Sequence, residues 1–358
     1  MSTASEVKKL YAKGEKRKVL VILYAFIALL IITVISVSLG AGRPRFMEAA
    51  QVILSKIFPF LGINPGSKNT QNIILLARLP RIVLAIIAGA GLAASGATMQ
   101  GVLRNPLVSP FILGISAAAG FGAALAIVLG IGVFSPYTGY IVVANAFIFS
   151  MLAMLMVYGI ACLRGITPET VILAGVAVGF LFSALLSLIQ FVAPEYEALR
   201  AVVYWLMGQL FTATWEKNLI ILPIVLVANA LMVRHSWDIN VMSLGEETAT
   251  SLGVNSRRVL LICITLGTLA TASIISFTGI IGFIGLVSPH IARMIIGSDH
   301  RFLLPCSILL GACLLLCSDT LARLVFMRSE LPVGIVTSLI GVPFFLYFLL
   351  SRRRQLWH

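Results

Sequence analysis

Few residues in this chain have both the type and the spacing to do chemistry. The first that do are Asp319 and Arg323, four positions apart in an otherwise apolar run. At that spacing they share a helix face and can pair. An ionisable residue inside an apolar segment is by default a candidate for function, as a proton carrier or a counter-ion. One carboxylate with no second acid in its run favours a structural ion pair over a proton relay. His290, directly after Pro289, has a side chain that titrates near neutral pH. A histidine at a helix start, facing a polar vestibule, is the plainer reading. Gly89-Ala-Gly91-Leu-Ala-Ala94 formally matches the dinucleotide fingerprint, whose glycines let a backbone approach a pyrophosphate. No strand-like segment precedes it. The acid that would hold a ribose hydroxyl about 20 residues downstream is also missing, because the next acid after Glu48 is Glu169. Small residues that let helix backbones meet explain the run better, and they explain Gly175 and Gly179 in the same way.

No other pattern supplies a catalytic, cofactor or metal site. There is no Gly-Lys-Ser/Thr phosphate loop, no HExxH and no GxSxG. The five cysteines, Cys162, Cys263, Cys306, Cys313 and Cys317, form no CxxC pair and sit in or at the end of apolar runs, so neither a disulfide framework nor a zinc site follows. The chain is expected to hold no catalytic residue, no metal and no cofactor of its own, and to be unable to hydrolyse ATP alone.

The elements that carry these residues are dictated by composition. Of 358 residues, 59% are hydrophobic and 11% charged, against roughly 25% charged in soluble domains. The bilayer must be the solvent. A net charge of +13 raises the question of nucleic acid, but the bases sit at the ends of apolar runs and in short tails, where they contact lipid headgroups, so no nucleic-acid partner is expected. Charge-free runs cover residues 19–42, 82–103, 105–163, 170–194, 201–215, 218–233, 259–292, 302–318 and 331–351. A spanning helix needs about 20 apolar residues, so the runs predict an all-α polytopic membrane protein with about ten transmembrane helices. Residues 105–163 hold two spans, broken near Ser135-Pro136. Residues 259–292 hold one full span and a shorter one that starts around Ser288-Pro289 and ends at Ile296. The run around Tyr204 and Trp205 is too short to cross and reads as a re-entrant or interfacial helix. Residues 41–71 form an outer connection containing one short apolar helix. The chain divides into a basic tail (1–18), a membrane domain (19–351) and a short tail (352–358). An even number of spans puts both termini on one side. The excess of Lys and Arg in the inner segments puts that side in the cytoplasm, against the outer bases Arg43, Arg45, Lys56, Lys68, Arg78 and Arg81. The tail is read as retained rather than as a cleaved signal peptide.

On that topology residues 234–258 lie inside. Their centre, Leu244-Gly-Glu-Glu-Thr-Ala-Thr-Ser-Leu-Gly-Val254, brackets a short helix between Gly245 and Gly253, with Ala249 and Leu252 three positions apart on one face. Such a helix suits docking into a groove on another protein, and the pattern fits an ordinary amphipathic loop equally well.

Taken together, several segments resemble one family. These are Arg78-Leu-Pro-Arg81, GAGLAASGATMQGVLRNPLVSPFIL at 89–113, LGEETATSLGV at 244–254, GIIGFIGLVSPHIAR at 279–293, Asp319-Thr-Leu-Ala-Arg323 and ELPVGIVTSLIGVP at 330–343. In that order they look like the permeases of iron-chelate and cobalamin ABC importers, from about Arg78 to Leu350. The resemblance implies ten helices per subunit and a homodimer around a central pore. Two separate ATP-binding-cassette ATPases, which bind the ATP and magnesium, would lie below it, and an extracytoplasmic binding protein would deliver substrate above. It implies a coupling helix at Gly245, Glu246, Glu247, Ala249, Leu252 and Gly253. Arg78 and Arg81 become docking residues for the binding protein, with Arg328 a third that an arginine-rich membrane anchor explains as well. The pathway would involve Asn105, Pro106, Tyr204, Trp205, Gly282, Phe283, Ser288, Pro289 and His290. The cargo expected first is a ferric siderophore, then cobalamin, haem or an oxyanion such as molybdate. The rival from another mechanism is a transporter driven by an ion gradient, which calls for several intramembrane acids where this chain has Asp319. The stretch 41–72 matches no motif of the family.

Overall fold

The computed structural model describes residues 4–40, 46–62, 64, 66–132, 140–325 and 331–351; all elements among them are helical. The helices are α1 (Ala4–Ser38), α2 (Phe46–Ile57), α3 (Lys68–Asn72), α4 (Leu79–Val102), α5 (Ile115–Leu129), α6 (Ile141–Arg164), α7 (Pro168–Phe191), α8 (Tyr196–Leu206), α9 (Trp215–Arg234), α10 (Ser236–Met242), α11 (Glu246–Ser251), α12 (Ser256–Thr278), α13 (Ile284–Ile296), α14 (His300–Val325) and α15 (Val333–Ser351). Among the described residues, seven helical stretches are long and apolar enough to cross a bilayer, and three shorter apolar helices lie in α5, α13 and α15. From Ala4 onward, the residues read as a basic tail form the first turns of α1. Ser135 and Pro136, the expected break between two spans, lie outside the described residues, between α5 and α6.

Helix α4 is the hub. It packs against α9, α12, α13 and α14 and is buried on nearly every side. Lipid is as apolar as leucine, so helices in a bilayer associate through close packing rather than through the hydrophobic effect. Glycine, alanine and serine make that packing close here: a Cβ on Gly89 would lie 2.3 Å from the Gly311 carbonyl oxygen of α14, and one on Gly96 would lie 1.7 Å from that of Gly285 in α13. Helices α5, α6 and α7 meet around Phe121, Phe149 and Phe182, with the first two rings edge to face at 5.0 Å. The outer faces of α1, α7 and α9 keep bare Leu, Ile and Phe side chains suited to lipid.

Two prolines shape the ends of spans. Pro80 cannot donate a backbone N–H, and the preceding stretch Ile73–Arg78 is a π-helix in which the Leu79 N–H reaches the Ile74 carbonyl. The α9 side chains close this irregularity: Trp215 Nε1 donates to the Leu75 carbonyl at 2.8 Å and Asn218 Nδ2 to that of Pro80 at 2.8 Å. Pro289 was expected to start a helix, but α13 begins at Ile284 and runs through it. The missing N–H leaves the Gly285 carbonyl without its helical donor, and Gly96 of α4 packs onto that carbonyl.

Candidate functional site

The functional groups gather at three levels. At one end of the bundle, α10 and α11 fold over the ends of α4, α12 and α14. Gly245 (φ +107) opens α11 and Gly253 (φ +82) closes it, both in backbone regions that favour glycine, with the Val254 N–H donating to the Ala249 carbonyl at 2.9 Å. Glu246 and Glu247 occupy the first turn, where carboxylates oppose the helix dipole. The sequence put Ala249 and Leu252 together on a docking face; the structure separates them. Ala249 is 0% exposed, held inside this chain, whereas Leu244 and Leu252 are 63% and 62% exposed. Three residues on a helix differ by about 60° in direction, and the edge of the buried face runs between these two. Asn105 and Pro106 follow α4 at the same end, where Asn105 Oδ1 accepts from the Leu107 N–H at 3.0 Å.

Beside α11, the turn before α14 is tied to α10. Asp299 caps α14: its Oδ1 accepts from the Arg301 N–H at 3.1 Å, and its Oδ2 from Arg301 Nη2 at 2.7 Å. Asn240 of α10 donates Nδ2 to Asp299 Oδ1 at 2.7 Å and accepts at Oδ1 from the His300 N–H at 2.8 Å and ring Nδ1 at 2.9 Å. The Arg301 guanidinium also stacks over Trp237 at 5.1 Å and reaches Glu15 of α1 at 3.6 Å. Burial pushes the Asp299 carboxyl up, but hydrogen bonds from Arg301 and Asn240 outweigh it and hold the pKa at about 2. A depressed carboxylate stabilises the fold fully above its unfolded value of about 3.9. That contribution is lost as pH falls towards the folded value. Melting curves of wild type and Asp299→Asn in detergent should therefore differ by a constant gap above about pH 5, narrowing between about pH 4 and pH 2. A gap independent of pH over that range would sink this account of the carboxylate.

At the middle level, the end of α8 with the loop after it, the α12–α13 link and the start of α15 meet. A Cβ on Gly279 would lie 2.1 Å from the Trp205 carbonyl oxygen, one on Gly208 2.3 Å from that of Ile280, and one on Gly334 2.2 Å from that of Met207. The Gln209 N–H donates to the Thr278 carbonyl at 2.6 Å. Irregular backbone at membrane depth survives only where protein or water satisfies it, and here the junction of α8, the α12–α13 link and the start of α15 does so. Trp205 is buried in this junction, while Tyr204 stays exposed. Gly282 lies in the link, with Ser338 Oγ 3.9 Å from where its Cβ would be. Phe283 adopts φ +67, a strained region for a bulky residue, and packs onto Gly341 of α15. Ser288 and Pro289 are buried within α13. His290 is buried too, rather than facing a vestibule: its Nδ1 donates to the Leu286 carbonyl at 2.7 Å, and its ring stands edge-on to Phe345 at 6.2 Å.

At the opposite end lies a charge cluster. Arg323 Nε and Asp319 Oδ2 form the expected pair at 3.1 Å, and Arg81 Nε donates to Asp319 Oδ1 at 2.8 Å. Arg78 donates to the Val37 carbonyl, and Arg323 Nη1 to that of Leu39 at 3.2 Å. The guanidiniums thus meet the carbonyl end of α1, where cations are favoured. Arg78 and Arg81 were expected on an outer docking rim. They are 5% and 6% exposed, turned inward to α1 and Asp319. Arg328 lies outside the described residues.

No group of three or more His, Cys, Asp or Glu among the described residues could hold a metal ion. The sequence profile of the FecCD transport family matches residues 28–351. The chain belongs to that family. Its relatives include the cobalamin import system permease protein of Halobacterium salinarum, 39% identical over 91% of this chain and 88% of that one. The molybdate import system permease protein of Haemophilus influenzae is 37% identical over 90% and 94%. A solved inward-facing metal-chelate-type ABC transporter is 33% identical, covers 92% of this chain and 99% of that one, and superposes with a TM-score of 0.80. This FecCD-family protein is an ABC importer permease, a multi-pass protein of the cell membrane. An ion-gradient mechanism is not favoured: Asp319, the acid it would use, is held between two arginines. What the sequence missed are the partners far along the chain, Arg81 for Asp319 and Asn240 for Asp299. Neither pair has a local spacing that could signal it.

Proposed function

We propose that this permease carries a metal chelate, a ferric siderophore first and cobalamin, haem or molybdate next, handed over by an extracytoplasmic binding protein. Two copies would form the pathway, and two separate ATPases would bind the ATP and magnesium and hydrolyse the ATP. Both termini and α11 would face the cytoplasm. The observation that carries the reading is α11: a short helix at one end of the bundle, outside the apolar spans, with Leu244 and Leu252 bare beside Glu246 and Glu247. Exposed leucines on a polar, glycine-bracketed helix call for a protein groove. The exposed apolar faces of α7 and α15 leave room for the second copy, and the absence of a phosphate loop calls for the separate ATPase.

The test is purification of the tagged chain from its native membrane in mild detergent, with its companions identified by mass spectrometry. An ATPase bearing a phosphate loop should accompany it, and the ligand of the co-purified binding protein, eluted and analysed, names the cargo. Leu252→Asp should lower ATPase recovery about tenfold, the effect of removing one apolar anchor. Full recovery with this variant would overturn the docking role of α11. Ala249→Trp is the wrong variant for this purpose, because Ala249 is buried in the chain's own packing.

A further inference from the structure

Between the exposed α11 and the far charge cluster, one route of contacts runs through α10 and the side chain of Asn240 into α14. Helix α10 ends at Met242 and α11 starts at Glu246, and the two are joined by a turn closed by the Leu244 N–H to the Val241 carbonyl and the Gly245 N–H to that of Met242. From α10, Asn240 makes three contacts with the start of α14: Asp299 Oδ1, the His300 N–H and His300 Nδ1. An amide oxygen only accepts, so the ring nitrogen facing it carries the proton, and the geometry fixes the tautomer of His300. The first N–H groups of a helix have no partner inside it. In α14 Asn240 and Asp299 supply them together, so a residue of α10 is part of the cap of α14. Helix α14 then runs 26 residues, about 39 Å at 1.5 Å per residue. Its other end carries Asp319 and Arg323, bound to Arg81 of α4 and to the last carbonyls of α1.

We infer that Asn240 is a positioning residue for coupling, the joint through which movement of α11 is passed to α14 and along it to the cluster of Arg81, Asp319 and Arg323. The inference rests on the reading of α11 as the ATPase docking helix. A polar side chain with three directed bonds suits a joint better than apolar contact, because it transmits rotation as well as displacement. The α11–α12 connection offers a second route, and the experiment separates the two.

The experiment uses the whole importer, the chain with its own ATPase subunits in nanodiscs, and hydrogen exchange read by mass spectrometry before and after trapping with ATP and orthovanadate. In the wild type, trapping should change exchange in the last turn of α14 and the last turn of α1. Asn240→Ala should raise exchange in the first turn of α14 about tenfold, as expected for loss of a helix cap, and at least halve the trapping response at the far end. Asn240→Asp, which keeps an acceptor for the His300 N–H but sets a second carboxylate against Asp299, should halve it too and serves if the alanine variant does not fold. A far-end response equal to wild type in either folded variant overturns the joint and assigns coupling to the α12 route. A wild type with no far-end response, while Leu252→Asp still releases the ATPase, overturns the joint and leaves the docking helix standing. An ATPase retained by Leu252→Asp overturns the docking reading, and the joint falls with it.

Discussion

Asp319→Ala should cost the chain a large share of its stability. The carboxylate is fully buried and shared by Arg81 and Arg323, whose side chains are 7% and 8% exposed. Removing it takes away the carboxylate that two buried guanidiniums share and leaves their mutual repulsion unscreened by it. Breaking a buried pair from one side typically costs about 3–5 kcal/mol, against a total of about 5–15 kcal/mol for a folded domain. Asp319→Asn keeps the shape and loses the charge, and should be nearly as harmful. The informative partner is Asp319→Leu combined with Arg81→Met, which removes the acid and one base and fills the space with apolar volume. Such replacements are often neutral, and Arg323 keeps the carbonyls of α1 as its partners. Size-exclusion profiles and melting curves in mild detergent should therefore show the single variants aggregated or strongly destabilised and the double variant largely restored. A single alanine variant melting within about 0.5 kcal/mol of wild type would put this cluster in the class of exposed pairs.

The same cluster shows where sequence reasoning stops. The pairing of Asp319 with Arg323 was legible because both lie on one helix at a spacing of four. Arg81 was placed at the correct end and given the wrong direction: composition says at which end of a span a base sits, not whether it turns towards the core. Its partner lies 238 positions away, and the π-turn ahead of Pro80 has no periodic signal. The all-α architecture and the short helix at 196–206 were legible because apolar run length fixes them. The start of α13 was not. Proline usually opens a helix, but here the carbonyl it leaves unbonded serves contact with α4. On α11 the period of 3.6 was read correctly for spacing and misread for burial, since a six-residue helix has too few positions to show which side is covered. Asn240 carried no pattern at all. Its role comes from α10 and the start of α14, 59 and 60 positions apart, which only the fold brings together.

Where the glycine-rich run did speak, it makes the second large prediction. Gly96→Val should abolish folding. The nearest atoms to a Cβ at Gly96 are the oxygen, carbon and Cα of Gly285, at 1.7, 2.5 and 2.8 Å, all of them backbone. A flexible side chain could swing aside, but a helix backbone must move as a body, and α4 has no room to retreat: on its far side, about 140° round the helix from Gly96, a Cβ on Gly91 would lie 2.6 Å from Ile274 Cδ1 of α12 and 2.8 Å from Val225 Cγ1 of α9. Overpacking costs about 1–3 kcal/mol where side chains can adjust and more where they cannot. Even Gly96→Ala should exceed about 3 kcal/mol on that argument. Gly159 in α6 is the control, with nothing within 4 Å of its Cβ position. Gly159→Ala should be neutral or gain about 0.5–1 kcal/mol from helix propensity. Folded yield in detergent and the melting midpoint measure all three, and a Gly96→Val chain that melts like wild type would mean that α4 and α13 separate freely. The expected intolerance also bears on transport. Any movement of α13 during transport must keep the contact between Gly96 and Gly285, because that contact leaves room to roll and none for a side chain between the two backbones.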